Sequence, residues 1–188
     1  MKNIFKFSFP LFFIPLLIPS SAGINSPDAN PPRFPVPPKT ENFLFYLQRT
    51  ININTIVYEL NLDEKNEISL EEPIKIKWIQ YAKDSTIEPL NYIQRKFAYG
   101  LVSKLIDPVN KSFEFHFVSY NGKPLYLIKS AIDNKYHVYI SINNKLSVLD
   151  RIFVQIDGGT FWVPEISYVE VSGTAPVTAE KMIEKIKP

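Results

Sequence analysis

From Asn42 onward the chain alternates apolar and polar residues with a period of two, and this pattern decides its fold class. In Ser112–Tyr120, Phe113, Phe115 and Phe117 alternate with Ser112, Glu114 and His116. In Tyr136–Ile142, Tyr136, Val138, Ile140 and Ile142 alternate with His137, Tyr139 and Ser141. Ile74, Ile76 and Trp78 alternate with Lys75 and Lys77, and Ile56, Tyr58 and Leu60 share one face of a further run. Successive side chains of a strand point to opposite faces, so each run predicts a strand buried on one side. The β-branched and aromatic content suits that surface.

Turn chemistry joins the runs. Asn121-Gly122 is a strong hairpin signal because both residues tolerate positive φ, and Asp133-Asn134 and Asn143-Asn144 are weaker ones. The prediction is an antiparallel meander over about 112–120, 124–131, 135–142 and 145–156. Asp157-Gly158-Gly159 then turns the chain into a strand near 161–171 that Pro164 interrupts. Two stretches have helical spacing. Leu90, Ile93 and Phe97 predict a short internal helix, followed by a strand over Ala98–Ile106. Ala179, Met182, Ile183 and Ile186, behind Pro176, predict a short amphipathic C-terminal helix. The expected class is all-β and mostly antiparallel: a β-sandwich or partly open barrel of about eight strands with those two helices.

The start of the chain reads differently. Met1–Ala22 has Lys2 and Lys6, an apolar run over Phe7–Ile18, and then Ser20-Ser21-Ala22. Charged, apolar, small is the order of a secretory signal peptide. Its 12 residues, broken by Ser8, Pro10 and Pro15, would span about 18 Å as a helix, short of the roughly 30 Å hydrocarbon core. The reading is a signal peptide over 1–22, a Pro-rich linker over 23–41 and one β-rich domain over 42–188. No transmembrane anchor is expected after cleavage, and the product is exported to the periplasm or secreted. Six prolines between Pro27 and Pro38 favour extended polyproline II, read as a stiff spacer rather than a ligand for proline-recognition domains.

Charge and composition exclude several functions. Without Lys2 and Lys6, 19 basic side chains face 19 acidic ones, which argues against nucleic acid. The absence of Cys removes disulfides, thiolate chemistry and Cys-ligated metals. No phosphate-binding glycine loop, dinucleotide fingerprint, G-x-S-x-G or H-E-x-x-H occurs, so no catalytic residue is assigned and no cofactor or metal is expected. His116 and His137 lie on outward strand faces and would need a third ligand to hold a metal, so two solvated histidines is the plainer reading. Asp63–Glu67 lacks the central glycine of calcium loops and reads as a hairpin turn.

Three candidate sets remain. The chain has 17 Lys but four Arg, and Arg49, Arg95 and Arg151 each sit amid apolar residues. A guanidinium fork binds carboxylate or phosphate with two parallel bonds, so the three are either an anion-binding cluster or structural pairs, the latter preferred. Tyr81 and Tyr139 fall on outward faces and form a candidate aromatic surface for a glycan or peptide, unless another element covers them. Asp150, Asp157, Glu165 and Glu170 are carboxylates that a hydrolase would pair across a scissile bond. Asn110-Lys111-Ser112 fits a glycosylation sequon, relevant only in a eukaryotic secretory route.

Several segments resemble a known family. Asn42–Asn61, Pro73–Tyr81, Ile93–Gly100 (IQRKFAYG, the most specific element) and Pro164–Gly173 are similar to the bacterial domain of unknown function 4833 family. The resemblance covers nearly all of the chain beyond the linker. It implies an exported, single-domain, mostly-β protein, and it carries no activity and no catalytic residues. The expected function is a binding or structural module of the cell envelope or secreted fraction, with an envelope glycan or protein as partner. The alternative is a carboxylate-dependent hydrolase of an envelope polymer.

Overall fold

The computed structural model describes residues 34–160 and 162–187. The predicted signal peptide and the first part of the linker lie outside them. The all-β class holds, with eleven strands among the described residues where about eight were expected.

The first arm of the sheet is built from β1 (Phe43–Arg49), β2 (Asn52–Leu60), β3 (Ile74–Gln80) and β4 (Thr86–Pro89). A short connecting helix, α1 (Tyr92–Gln94), continues as a wider π-type turn over Arg95–Tyr99. The second arm follows as β5 (Leu101–Asp107), β6 (Ser112–Phe117), β7 (Tyr120–Lys129) and β8 (Tyr136–Ile142). The chain ends in β9 (Lys145–Gly159), β10 (Pro164–Thr174) and β11 (Lys181–Ile186). The strand order is β4-β3-β2-β1-β9-β8-β7-β6-β5, with β10 on β9 and β11 on β10. All pairings are antiparallel except β1 with β9, so the sheet is mixed, and it curls into a half-barrel.

Strand β9 organises the molecule. Val148 pairs with Tyr139 of β8 and with Thr174 of β10, and Arg151 pairs with Tyr46 of β1 and with Ser172 of β10. A residue with two partners has one at each edge. β8 and β1 therefore share one edge of β9, β8 along Lys145–Val148 and β1 along Arg151–Val154, while β10 takes the other. The sheet forks there, which is why β9 needs 15 residues. An extra residue at Asp150 breaks the register with β10 and puts Leu149 and Ile152 into the same core.

The predicted alternation accounts for that core. Phe45, Tyr58, Phe113, Phe115, Leu127, Val138 and Ile142 are all at most 1% exposed. Phe45 stacks on Tyr58 at 4.2 Å, and Phe117 from the other arm meets both rings edge-on. The Tyr58 hydroxyl donates to the Tyr99 carbonyl oxygen at 2.9 Å, tying the π turn to the first arm. On the outer face of β1–β3, Tyr46, Val57 and Ile79 make a small second cluster. The later part of the linker lies over this region. Gln48 Nε2 donates to the Pro35 carbonyl oxygen at 2.7 Å, Phe34 meets Phe153 edge-on, and Pro37 is buried.

Three local expectations are corrected. The C-terminal helix is instead strand β11, paired with β10 at six positions. Met182 and Ile186 share a face in either geometry. Ile183 discriminates, and at 45% exposure it lies on the other side from buried Met182. Backbone pairing along β10 outweighs a weak helical stripe that lacks enough length to form alone. The internal helix forms, but its buried side is Leu90, Gln94 and Tyr99, while Ile93 and Phe97 face outward. Gln94 and Tyr99 are five residues apart, the span of a π-type i→i+5 hydrogen bond. The β6–β7 turn is Val118-Ser119, with Asn121-Gly122 in an irregular stretch of β7 beyond it. The weaker Asn143-Asn144 signal does mark a two-residue turn: both residues have positive φ, at 50° and 61°.

Candidate functional site

The fork leaves a gap on the core side of the sheet. Where β1 and β9 run parallel, Leu47, Ile152 and Val154 form its floor. Ile166, Val169 and Val171 of β10 and Ile186 of β11 form one wall, and Phe117, Leu125 and Ile140 of β6–β8 the other. The cavity measures about 360 Å³, within the roughly 300–1,000 Å³ range of small-molecule pockets. Ser119, Tyr120 and Lys187 are exposed lining residues and mark its open side.

The few polar groups on the lining are occupied or peripheral. Ser119 Oγ donates to the Ala98 carbonyl oxygen at 2.7 Å. Lys123 Nζ donates to both Glu184 carboxylate oxygens, at 2.7 and 2.8 Å, and to the Ser141 carbonyl oxygen at 3.0 Å. Glu184 also accepts from the Asn143 N–H at 2.8 Å. The bond from Lys123, with the Asn143 N–H after it, holds the Glu184 carboxyl below its ordinary range despite partial burial. The lining contains no Asp, Glu or His. Such a site can shed water around an apolar molecule, and neither a carboxylate nor an imidazole lines it. A larger hollow of about 680 Å³, between Thr40–Leu44, the Asp63–Glu67 hairpin and the β7–β8 turn, is wide and polar, with Lys111, Lys135 and His137 on its walls.

The arginines do not converge. Arg49 packs on the core side, its guanidinium 5.0 Å from the Tyr99 ring centre, and burial lowers its pKa. Among the described residues its Nε has no hydrogen-bond partner. Arg151 is on the opposite side: Nε donates to Gln48 Oε1 at 3.0 Å, Nη1 is 3.5 Å from Glu170, and the guanidinium stacks on Phe153. It lines a separate polar groove with Tyr46, Asp150 and Glu170. Arg95 is on the π turn, half-exposed and paired with Glu72.

The tyrosines form no common surface. Tyr139 is 7% exposed, which corrects its placement on an open face. Tyr81 is half-buried against Tyr46, Val57 and Ile79, and burial raises its pKa. The histidines are apart, each beside its own carboxylate: His116 with Glu114, His137 with Asp133. Among the described residues no group of three metal-ligating side chains occurs. Asp63 Oδ1 accepts from the N–H groups of Lys65 and Glu67 inside a hairpin turn. Of the four carboxylates, Asp150 pairs with Lys39, Asp157 with Gln155 and Ser167, and Glu170 with Arg151 and Lys185; Glu165 sits at the β9–β10 hairpin.

The sequence pattern places Phe117, Leu125, Ile140, Ile152, Val154, Ile166, Val169 and Val171 on expected strands but assigns Ile186 to a helix, and the cavity itself does not show in it. Alternation says which residues of a strand share a face; it does not report that the opposite wall stands off. The outward Ile93 and Phe97 were equally hidden, because a 3.6-residue repeat assigned them inward.

A family model described as Domain of unknown function (DUF4833) matches residues 45–185. No curated protein and no solved structure matches the chain.

Proposed function

We propose, for a chain that belongs to the DUF4833 family, an exported binding module that takes an apolar small molecule into the cavity at the fork. The lining carries the argument: ten aliphatic or aromatic side chains enclose about 360 Å³, with Ser119, Tyr120 and Lys187 at the open side and the Lys123 amine turned to Glu184 and the Ser141 carbonyl oxygen. Water in such a space makes few hydrogen bonds, so an apolar guest that displaces it is stabilised by roughly 25 cal/mol per Å² of surface buried. The dispersed carboxylates give the hydrolase alternative no comparable support.

Export rests on the sequence order of Met1–Ala22. The mature chain begins at Gly23, and N-terminal sequencing of exported protein checks it; an intact Met1 on a membrane-bound product contradicts it. A dansyl-labelled fatty acid tests the cavity. Saturable binding is expected, and Val169→Trp, which fills the space from β10, weakens it at least about tenfold, or ~1.4 kcal/mol. The melting temperature of that variant should remain within a few degrees of wild type. Undiminished binding by a folded Val169→Trp protein would mean that the cavity is not the site.

A further inference from the structure

An apolar guest is scarce in water and abundant in lipid, so a protein that binds one must meet a lipid phase. The open side of the cavity has the surface for this. Phe97 on the π turn and Trp162 at the β9–β10 hairpin tip pack edge-to-face at 5.6 Å, joining two segments distant in sequence into one patch. Tyr92 and Val163 extend it, and these four side chains are 49–72% exposed. In a domain with a full core, a cluster of exposed large apolar side chains of this kind marks an interaction site.

The patch adjoins the cavity on both sides. Ala98, next to Phe97, holds Ser119 of the open side through its carbonyl oxygen. Ile166, on the strand that leaves the Trp162 hairpin, is part of the cavity wall. The composition suits a bilayer interface better than a protein groove. Lys96 lies over the Tyr92 and Phe97 rings, at 5.3 and 5.5 Å from their centres, and its Nζ donates to the Tyr92 hydroxyl. Among the described residues it has no carboxylate within ion-pair distance, so its charge is available to lipid phosphates. Trp and Tyr at headgroup depth with a lysine beside them are the pattern of interfacial anchors. Glu165, at the base of the hairpin and exposed, limits the anionic charge that the surface tolerates.

We infer that this patch seats the protein on a lipid bilayer, with the cavity opening beside the membrane so that the apolar guest passes between them. The inference rests on the cavity being the ligand site, and the test separates the two.

Trp78 and Trp162 are the only tryptophans, so Trp78→Phe leaves Trp162 as the sole reporter in the chain from Gly23. The probe is vesicles of phosphatidylethanolamine with a minor share of phosphatidylglycerol. Trp162 emission should shift to the blue and be quenched by brominated acyl chains. Phe97→Ser and, separately, Val163→Ser should weaken vesicle partition about tenfold while leaving dansyl fatty acid binding from solution unchanged. Val169→Trp should still partition; if it does while no variant binds the fatty acid, the seating on the bilayer stands, and the passage of a guest falls with the ligand reading. Trp162 emission unmoved at saturating lipid overturns the inference. A dimer that light scattering shows to dissociate in Phe97→Ser, without vesicle partition, also overturns it, in favour of a second copy on the patch.

Discussion

Arg151 is held at three points, by Gln48 through its Nε, by Glu170 through Nη1 and by the Phe153 ring beneath it. Lysine keeps the charge but offers neither the second prong nor the flat face. Arg151→Lys should cost about 1–2 kcal/mol, leaving the buried Gln48 oxygen without its donor. That corresponds to a few degrees in melting temperature for a domain of this size. Arg95 predicts the opposite. Its pair with Glu72 is half-exposed, with side-chain exposures of 45% and 51%, so Arg95→Lys should change stability by less than about 1 kcal/mol. A thermal melt of both variants checks the contrast, and equal losses would refute it. Both arginines sit in apolar sequence neighbourhoods, and nothing local distinguishes them. What separates them is the residue across the sheet or across a turn, contributed from far along the chain: Gln48 lies 103 positions from Arg151, and Glu72 lies 23 from Arg95.

At the scale of elements, period-two alternation was a sufficient guide wherever a strand had one buried face. The limits read for β6, β8 and β9 fall within a few residues of those found, because cross-strand burial of Phe113, Phe115, Val138 and Ile140 enforces that period. It failed where two periods fit the same residues. Met182 and Ile186 satisfy helix and strand alike, and the free edge of β10, invisible locally, decided between them. Strand geometry makes a test that helix geometry would not. Met182 is buried and Met182→Ala should cost about 2–3 kcal/mol; Ile183 faces out and Ile183→Lys should be within about 0.5 kcal/mol of neutral. Comparable losses at both positions, measured by denaturant midpoints at equal slope, would restore a face containing both residues.

The fork is a property of the whole molecule and was not legible. Alternation says which face of β1 is buried but not that β1 lies parallel to a strand about a hundred residues later. The cavity follows from that pairing, and so does the role of Glu184. Its carboxylate on β11 binds Lys123 of β7 and the Asn143 N–H of the β8–β9 turn, and so joins the last strand to the second arm beside the cavity. Because the Lys123 bond depresses its folded pKa, Glu184 stabilises the fold fully above its ordinary value of about 4.5. That contribution disappears as pH falls through the lower folded value, when the carboxyl takes up its proton and Lys123 loses its partner. Asp107, Asp133 and Asp157 are depressed in the same direction, so wild-type acid sensitivity alone does not isolate Glu184. Comparison with Glu184→Gln does. The variant should be less stable than wild type at neutral pH, and the gap between their urea midpoints should narrow from about pH 5 downward, as wild type loses what the variant never had. Midpoint curves that stay parallel from neutral pH to about pH 3 would show that Glu184 does not fasten β11 to the second arm.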